Sequence, residues 1–247
     1  SILIHALFYD STLLTGMWGF GYGDGDANTT NPATISLCIR SLFNLSDASD
    51  IIIALLHADY DGAFVAYLNG TEIGRGNFGP AGTSLTYNGI PATDREATLY
   101  QGGLPEAHPI YPQSFNQIIK QNENVLAIQI NNFMITSSDF SSNFFLSLAI
   151  TDNSRDFEPT PTWFSAPFIS TNLPLISINT GSLTIVDEPK ISASMKLIDN
   201  GPGLSNFVYD PGTDYDGAIA IEIRGTSSQN FDKKNYGFET QDQSGNN

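Results

Sequence analysis

Short stretches in which apolar and polar residues alternate recur along the whole chain, and Gly, Asn, Asp or Pro residues bound them. Alternation with period two is the signature of β-strands, which bury one face and expose the other. The pattern therefore predicts an all-β protein with almost no helix. The clearest predicted strands cover residues 51–57, 63–68, 125–130, 144–150, 175–178, 190–198 and 219–223.

Two dipeptides predict tight turns between strands. Asn69-Gly70 lies between apolar residues, and both residue types tolerate positive φ, which is the strongest short-range signal for a β-hairpin. Asp61-Gly62 makes a similar turn one strand earlier, so the sequence predicts a three-stranded meander over residues 51–75. One short helix is predicted over residues 114–120, with Ser114 as its N-cap and Gln117 completing a capping box.

The local composition of the sequence changes around residues 151–172, where polar residues are followed by prolines at 159, 161 and 167. Prolines interrupt a hydrogen-bonded ladder, so this stretch predicts a linker. We expect a first domain over residues 1–155, a linker over 156–171 and a second, small, mostly β segment over 172–247. Because the chain stops in mid-pattern, the second segment is expected to be the leading part of a larger domain.

Composition excludes several classes of protein. The chain of 247 residues has 10 Lys and Arg against 26 Asp and Glu, a net charge of −16. A chain this acidic lacks the basic surface that nucleic acid requires. No apolar run approaches the roughly 20 residues that span a bilayer, and the first residues do not resemble a signal peptide. The single cysteine, Cys38, excludes an internal disulfide and is predicted to be a buried strand residue.

The first half resembles the galactose-binding-like jelly-roll domains. The resemblance rests on the hairpin at residues 59–75 and on residues 122–132, which are similar to a "GxNxLAVxVxN" strand of that family. The run Trp18–Asp26 and the triplet Ser137-Ser138-Asp139 resemble the version found beside large secreted bacterial proteins. The resemblance implies a jelly-roll β-sandwich that binds carbohydrate or a cell-surface glycan without catalysis, in a secreted or cell-surface bacterial protein.

The second half resembles the N-terminal segment of the CotH-type spore-coat kinases. Residues 172–180, 187–191 and 223–239 are similar to that family's "LPxxxIxT", "KxxAxxxI" and "IRGxSSxxxxKKxY" segments. The resemblance implies an atypical kinase-like fold in which a few residues approach ATP and magnesium. These implied nucleotide-binding residues are Arg224, Ser227, Ser228, Lys233 and Lys234. Phosphoryl transfer also needs aspartates on later elements, so this chain alone is not expected to be catalytic and no catalytic residue is assigned.

Oxygen-bearing residues at alternate positions, Asp24, Asp26 and Asn28, predict a calcium loop, because Ca²⁺ takes six to eight oxygen ligands. The spacing is not that of an EF-hand, and an Asx-rich turn without metal gives the same pattern. Weaker versions of this pattern occur at Asp59 and Asp61 and at Asp210, Asp214 and Asp216.

A sugar site pairs an exposed aromatic ring with groups that hydrogen-bond hydroxyls. The sequence offers Trp18 and Tyr22 in a Gly-rich loop, and Arg75 and Asn77 after the predicted hairpin. Packing of the two rings and simple turn structure remain the alternatives at these positions. A third hypothesis for the whole chain is a structural or adhesive spacer. The sequence predicts no oligomeric state.

Overall fold

The computed structural model describes residues 14–23, 25–49, 51–150, 160–164, 167–181 and 183–242. Within these residues β-strands predominate and one short α-helix occurs, which confirms the all-β prediction. None of the described helices is long and apolar enough to cross a membrane. The chain divides into two compact units, the first over residues 1–164 and the second over residues 165–247.

The first unit is a β-sandwich. One sheet has five strands in the order β2-β1-β9-β4-β7, and the other has four in the order β3-β8-β5-β6. In chain order, its described elements are β1 (Phe20–Tyr22), β2 (Thr29–Thr30), β3 (Ser36–Leu45), β4 (Ile51–Tyr60), β5 (Ala63–Leu68), β6 (Thr71–Gly76), β7 (Glu106–Ile110), α1 (Pro112–Ile118), β8 (Asn122–Asn131) and β9 (Phe140–Ile150).

The core lies between these two sheets. Leu56, Tyr60 and Phe144 contribute from the five-stranded sheet, and Phe64 and Ile128 from the four-stranded one. A second cluster at the other end of the sandwich includes Phe115, so α1 closes the core there. The alternation that predicted the strands thus follows the inner faces of both layers.

The predicted meander over residues 51–75 is wrong in one respect. β5 and β6 form the predicted hairpin, and both Asn69 and Gly70 have positive φ. β4, however, pairs with β7 and β9 in the opposite sheet. Asp61-Gly62 is therefore a crossover between the two layers, and not a hairpin turn. A Cβ on Gly62 would lie 2.1 Å from the Asn131 carbonyl oxygen, so the chain passes too close to β8 for a side chain at this position.

Two further local predictions need correction. The helix begins at Pro112 with Tyr111 as its N-cap, and no side chain caps it, so Ser114 lies inside the helix. Proline at the first helical position replaces the predicted capping box, because its missing N–H has no partner there in any case. Cys38 is exposed on β3. Its strand turns this position outward, opposite to the buried Ile39.

The second unit is built mainly on one four-stranded antiparallel sheet. Its strands are ordered β11-β12-β14-β15, and a separate two-stranded ladder joins β10 to β13. The elements are β10 (Ser170–Thr171), β11 (Leu175–Asn179), β12 (Ile191–Ile198), β13 (Asn206–Phe207), β14 (Tyr215–Arg224) and β15 (Asn235–Gln241). Met195, Ile219 and Ile221 are buried on one face of the large sheet.

The predicted linker is only partly described, since residues 156–159 and 165–166 lie outside the described residues. Of the remainder, Ser170 and Thr171 form β10. Trp163 packs in the first unit, with its ring 4.9 Å from each of the rings of His57 and Phe145. The predicted linker and the domain bounds on either side of it stay a prediction.

Candidate metal centre

One end of the sandwich gathers loops from both sheets. β4 ends at Tyr60 and β5 begins at Ala63, and the end of β8 and the beginning of β9 lie beside them. The long loop 77–105 between β6 and β7 returns to the same place, because the Gly62 N–H donates to the carbonyl oxygen of Arg95 at 2.9 Å. The carboxylates of Asp61, Glu96 and Asp139 meet at this end, with ligand oxygens within 4.8 Å of one another.

Asp61 is the buried member of this triad, with 5% of its surface exposed. Its Oδ1 accepts a hydrogen bond from the Ala97 N–H at 2.6 Å, and its Oδ2 accepts one from the Ser141 N–H. The pKa of Asp61 is raised to about 7, first by burial and also by the charges of Glu96 and Asp139, against the lowering effect of the two backbone hydrogen bonds. The two backbone N–H groups therefore offset only part of the cost of placing an anion here.

Glu96 and Asp139 complete the triad from two different loops. Glu96 is exposed and Asp139 is partly buried. A Cβ on Gly23 would lie 2.5 Å from the Asp139 Cβ, so the chain after β1 packs directly against this aspartate. Three segments that are distant in sequence thus present one carboxylate each. Such a triad can bind a metal ion, because Ca²⁺ takes carboxylate oxygens in a flexible coordination geometry.

The predicted calcium loop lies next to this triad without forming it. Asp24 lies outside the described residues. Asp26 accepts a hydrogen bond from the Ser141 hydroxyl at 2.6 Å, so one serine joins it to Asp61. Its other oxygen, Oδ1, is buried without a hydrogen-bond partner. Asn28 donates to the Trp18 carbonyl oxygen at 2.8 Å, and this bond orders the loop.

The sequence pattern predicted Asp61 only as a weak candidate metal ligand, and it did not predict Glu96. No local pattern marks Glu96, because its position depends on the fold of a loop that starts far from Asp61. Asp139 belongs to the triplet Ser137-Ser138-Asp139 that the family resemblance picked out, although without a ligand role. The weaker candidate metal ligands Asp210, Asp214 and Asp216 belong to the second unit. There the Asp210 carboxylate accepts hydrogen bonds from the Asn200 side chain and from the Phe207 N–H.

The two predicted aromatic sugar platforms are partly buried. Trp18 and Tyr22 pack against the sandwich core. The Tyr22 ring stacks on Phe140 with centroids 6.1 Å apart, and its hydroxyl accepts a hydrogen bond from Asn132 at 3.0 Å. Both rings therefore support the packing alternative, and their role in sugar binding stays a prediction.

Arg75 and Asn77 anchor the loop that follows the hairpin. The Arg75 guanidinium binds both carboxylate oxygens of Glu72, at 2.7 and 2.9 Å. It also donates to the carbonyl oxygens of Phe78 and Thr83. The Asn77 side chain donates to the carbonyl oxygens of Gly62 and Thr93 at 2.7 Å each. These polar groups are engaged within the protein, so a sugar would compete with existing bonds.

The predicted nucleotide-binding residues lie in the second unit, around the connection from β14 to β15. Lys234 donates to the Gln229 carbonyl oxygen at 2.6 Å, and Lys233 is exposed. Ser227 is exposed, and the side chain of Ser228 lies outside what the structure describes. Arg224 lines an open groove of about 460 Å³ with Lys190, Glu222 and residues 236–239. Lys190 lies 2.7 Å from Glu239 and 3.8 Å from Glu222 in this groove.

The sequence matches no family model and no curated protein. Solved structures similar to it include a Streptomyces avermitilis α-L-rhamnosidase complexed with L-rhamnose, at 18% identity and a TM-score of 0.31. A calcium-binding mutant of Bacteroides uniformis β-glucuronidase 2 matches at 9% identity and a TM-score of 0.31. The matches cover 65% and 97% of this chain, but only 16% and 30% of those two proteins. Likenesses this remote carry no functional information, and the two family resemblances stay predictions.

Proposed function

We propose that the first unit is a non-catalytic binding module whose loop end takes up Ca²⁺. The observation that supports this most directly is the meeting of Asp61, Glu96 and Asp139, whose oxygens lie within 4.8 Å of one another. Oxygens on opposite sides of a calcium ion are separated by about 4.8 Å, twice a bond of about 2.4 Å. The bonds of Mg²⁺ are shorter and its geometry is stricter, so Ca²⁺ suits this set of loops better.

The negative charges of the site favour the binding of a cation. Three carboxylates placed together repel one another, and the raised pKa of Asp61 reflects its burial first and that repulsion second. A bound cation removes this cost by stabilising all three anions. The Oδ1 of Asp26, an aspartate that the Ser141 hydroxyl joins to this end of the sandwich, is buried without a hydrogen-bond partner and is a further oxygen that a cation would stabilise. Because one of its carboxylates is exposed, we expect the site to bind Ca²⁺ weakly, with a Kd in the range of extracellular calcium modules, about 10⁻⁴ to 10⁻³ M. Such a Kd suits the secreted or cell-surface setting that we propose for this protein.

Calcium titration of the chelator-stripped chain tests this proposal. Isothermal calorimetry at pH 7.5 should show one binding event, and Glu96→Gln and Asp139→Asn should each weaken it at least about tenfold. Asp94→Asn is the matched control, because it removes the same charge from the same exposed loop without touching the triad. Absence of heat and of any thermal shift at 10 mM CaCl₂, about ten times the upper end of the expected range, would contradict the proposal.

We propose carbohydrate as the larger ligand of this module. Support comes from Tyr87, whose side chain is 70% exposed in the loop 77–105. Asn131 donates to the carbonyl oxygens of Thr86, Tyr87 and Gly89, which fixes the backbone beneath the exposed ring. An exposed aromatic ring on a fixed backbone offers a flat apolar face, as sugar stacking requires.

Affinity electrophoresis against a panel of soluble polysaccharides tests the carbohydrate proposal. At least one polysaccharide should slow the chain, and Tyr87→Ala should restore its free mobility. Tyr236→Ala is the matched control, since this tyrosine is 50% exposed in the second unit. Mobility unaffected by every polysaccharide would reject this ligand class while leaving the calcium proposal intact.

A further inference from the structure

The segment that carries Glu96 is held on both sides by contacts to the sandwich. After Glu96, the N–H of Ala97 donates to Asp61 at 2.6 Å. The N–H groups of Thr98 and Leu99 donate to the two carboxylate oxygens of Asp59, at 2.8 and 3.1 Å. Asp59 is fully buried, so this attachment is firm. These bonds fix the chain on one side of the exposed metal ligand.

Arg95 makes the attachment on the other side. Its guanidinium carbon lies 3.8 Å above the centre of the Tyr60 ring, and its Nη1 donates to the Tyr60 carbonyl oxygen. Its Nε lies 3.3 Å from Oε1 of Glu106, while the Tyr60 hydroxyl donates to Oε2 of the same carboxylate at 3.1 Å. Nη1 also reaches the Glu96 carbonyl oxygen at 3.4 Å. One arginine thus joins the loop to β4 and β7 immediately before Glu96.

The Tyr60 ring, on which Arg95 stacks, has little room to move. Its ring is fully buried between Phe64 and Phe144, with centroids at 4.6 and 6.4 Å. A Cβ on Gly76 would lie 1.9 Å from its hydroxyl oxygen, so β6 also confines it. An arginine that stacks on this ring is therefore held by the rigid core and not by a mobile surface group.

We infer that Arg95 is a positioning residue for the calcium site, and that its contacts with Tyr60 and Glu106 hold Glu96 toward Asp61 and Asp139. This inference rests on the proposed function. Without these contacts, the backbone bonds from Gly62 to Arg95 and from Ala97 to Asp61 would remain, but the Glu96 side chain between them would be less confined, and calcium would have to order it on binding. Partners that orient metal ligands affect metal affinity by about 10- to 100-fold when removed.

Electrostatics and positioning predict opposite results for this arginine, so the two are separable. Arg95 carries a positive charge next to a cation site, and removing that charge should by itself tighten calcium binding. Weaker binding after removal can arise only if the loss of positioning exceeds this electrostatic gain. The pair Arg95 and Glu106 also permits a variant that keeps the net charge, Arg95→Met with Glu106→Gln.

Calorimetric calcium titration of four variants tests the inference. We expect Arg95→Met, alone and with Glu106→Gln, to weaken calcium binding about tenfold. In a Glu96→Gln background, Arg95→Met should have little further effect, because the arginine acts through Glu96. Arg75→Met is the matched control, since Arg75 anchors the same loop through Glu72, Phe78 and Thr83. It should lower thermal stability without changing calcium affinity.

Hydrogen exchange of the chelator-stripped chain supplies a readout without metal. Arg95→Met should speed exchange of the Ala97 and Thr98 amides, and Arg75→Met should not. If the parent chain binds calcium and Arg95→Met binds it equally well or more tightly, the inference is overturned while the calcium proposal stands. If the parent chain binds no calcium, both are overturned. An equal loss of affinity in Arg75→Met would also overturn the specific role of Arg95.

Discussion

The two units differ in how completely their apolar faces are covered. In the first unit, two sheets enclose residues such as Leu56, Phe64 and Ile130, which have no exposed surface. In the second unit, the described residues form one large sheet whose buried cluster comprises Met195, Ile219 and Ile221. On the same face, the edge strands leave apolar side chains exposed, including Ile176, Tyr236 and Phe238.

The difference shows why the candidate metal centre belongs to the first unit. A sandwich fixes the ends of strands from two layers, so the loops between them meet at reproducible positions. Asp61, Glu96 and Asp139 come together because β4, β5, β8 and β9 are fixed relative to one another. A single sheet supplies fewer such fixed ends, and its stability depends on fewer buried side chains.

The largest effect is expected from truncating a core ring. Phe64→Ala should lower the free energy of unfolding of the first unit by about 3–5 kcal/mol, because Phe64 is fully buried among Tyr60, Phe144 and His108. Phe238→Ala should cost the second unit less than about 1 kcal/mol, since Phe238 is 46% exposed. Tryptophan fluorescence follows the first unit alone, because Trp18 and Trp163 both precede residue 165. Equal losses would refute the comparison.

A smaller effect is expected from adding a single methyl group. Gly76→Ala would place a Cβ 1.9 Å from the hydroxyl oxygen of the confined Tyr60, so we expect a loss of about 1–3 kcal/mol in denaturant unfolding. The corresponding change in the second unit, Gly217→Ala, meets the Tyr215 hydroxyl at 2.9 Å and should cost less, because that hydroxyl ends a half-buried side chain. Adding Tyr60→Phe to Gly76→Ala should recover part of the loss.

The two units should also respond differently to mild acid. Burial, with a contribution from the charge of His108, holds the pKa of His57 below its usual value. The folded chain therefore binds this proton less readily than the unfolded chain. The stabilisation is present above about pH 6.5 and is lost as the pH falls through the lowered pKa. Fluorescence melts between pH 7.5 and 5 should show this loss, and His57→Gln should reduce it.

The second unit contains no histidine, because His5, His57 and His108 all belong to the first. Circular dichroism can follow the unfolding of the second unit where it occurs before or after the fluorescence change. The midpoint of that transition should vary less over the same pH range. An equal acid response in the two units would exclude His57 as its source.

The smallest effect concerns nucleotide. If the second unit binds ATP through Lys234 or Lys233, as predicted from the sequence, ATP with Mg²⁺ should stabilise it by about 0.4 kcal/mol at a concentration equal to the Kd. Lys234→Met should abolish the shift if that lysine can leave the Gln229 carbonyl oxygen, its present partner. An unchanged transition at millimolar ATP would reject nucleotide binding by this chain.

Much of the fold followed from local chemistry. Strands β5, β8, β9 and β11 lie where period two predicted them, and Asn69-Gly70 forms the predicted hairpin turn. Asn69 also bonds the Ile118 carbonyl oxygen and the Val125 N–H, contacts that no local pattern reveals. The pairing partner of β4 was predicted wrongly, because a two-residue turn leads equally well to a neighbouring strand or to the opposite sheet.

The candidate site was less predictable than the fold. The closely spaced oxygen ligands Asp24, Asp26 and Asn28 predicted a calcium loop, whereas the triad combines residues that are far apart in sequence. Glu96 gains its position from the bonds of Arg95 and Ala97 to β4 and its turn. The partner of Arg75, in contrast, was only three residues away. Alternation predicts which face of a strand is buried, but not which loops meet beyond its end.

The crossover at Asp61-Gly62 has a mechanical consequence. The backbone passes there from one layer of the sandwich to the other, and the proposed ion would bind at that same point, to ligands from the crossover and from two loops. Pulling the layers apart would then require extraction of the ion as well as rupture of the strand contacts. A module at a cell surface would in this way resist tension when calcium is plentiful and yield sooner when it is scarce.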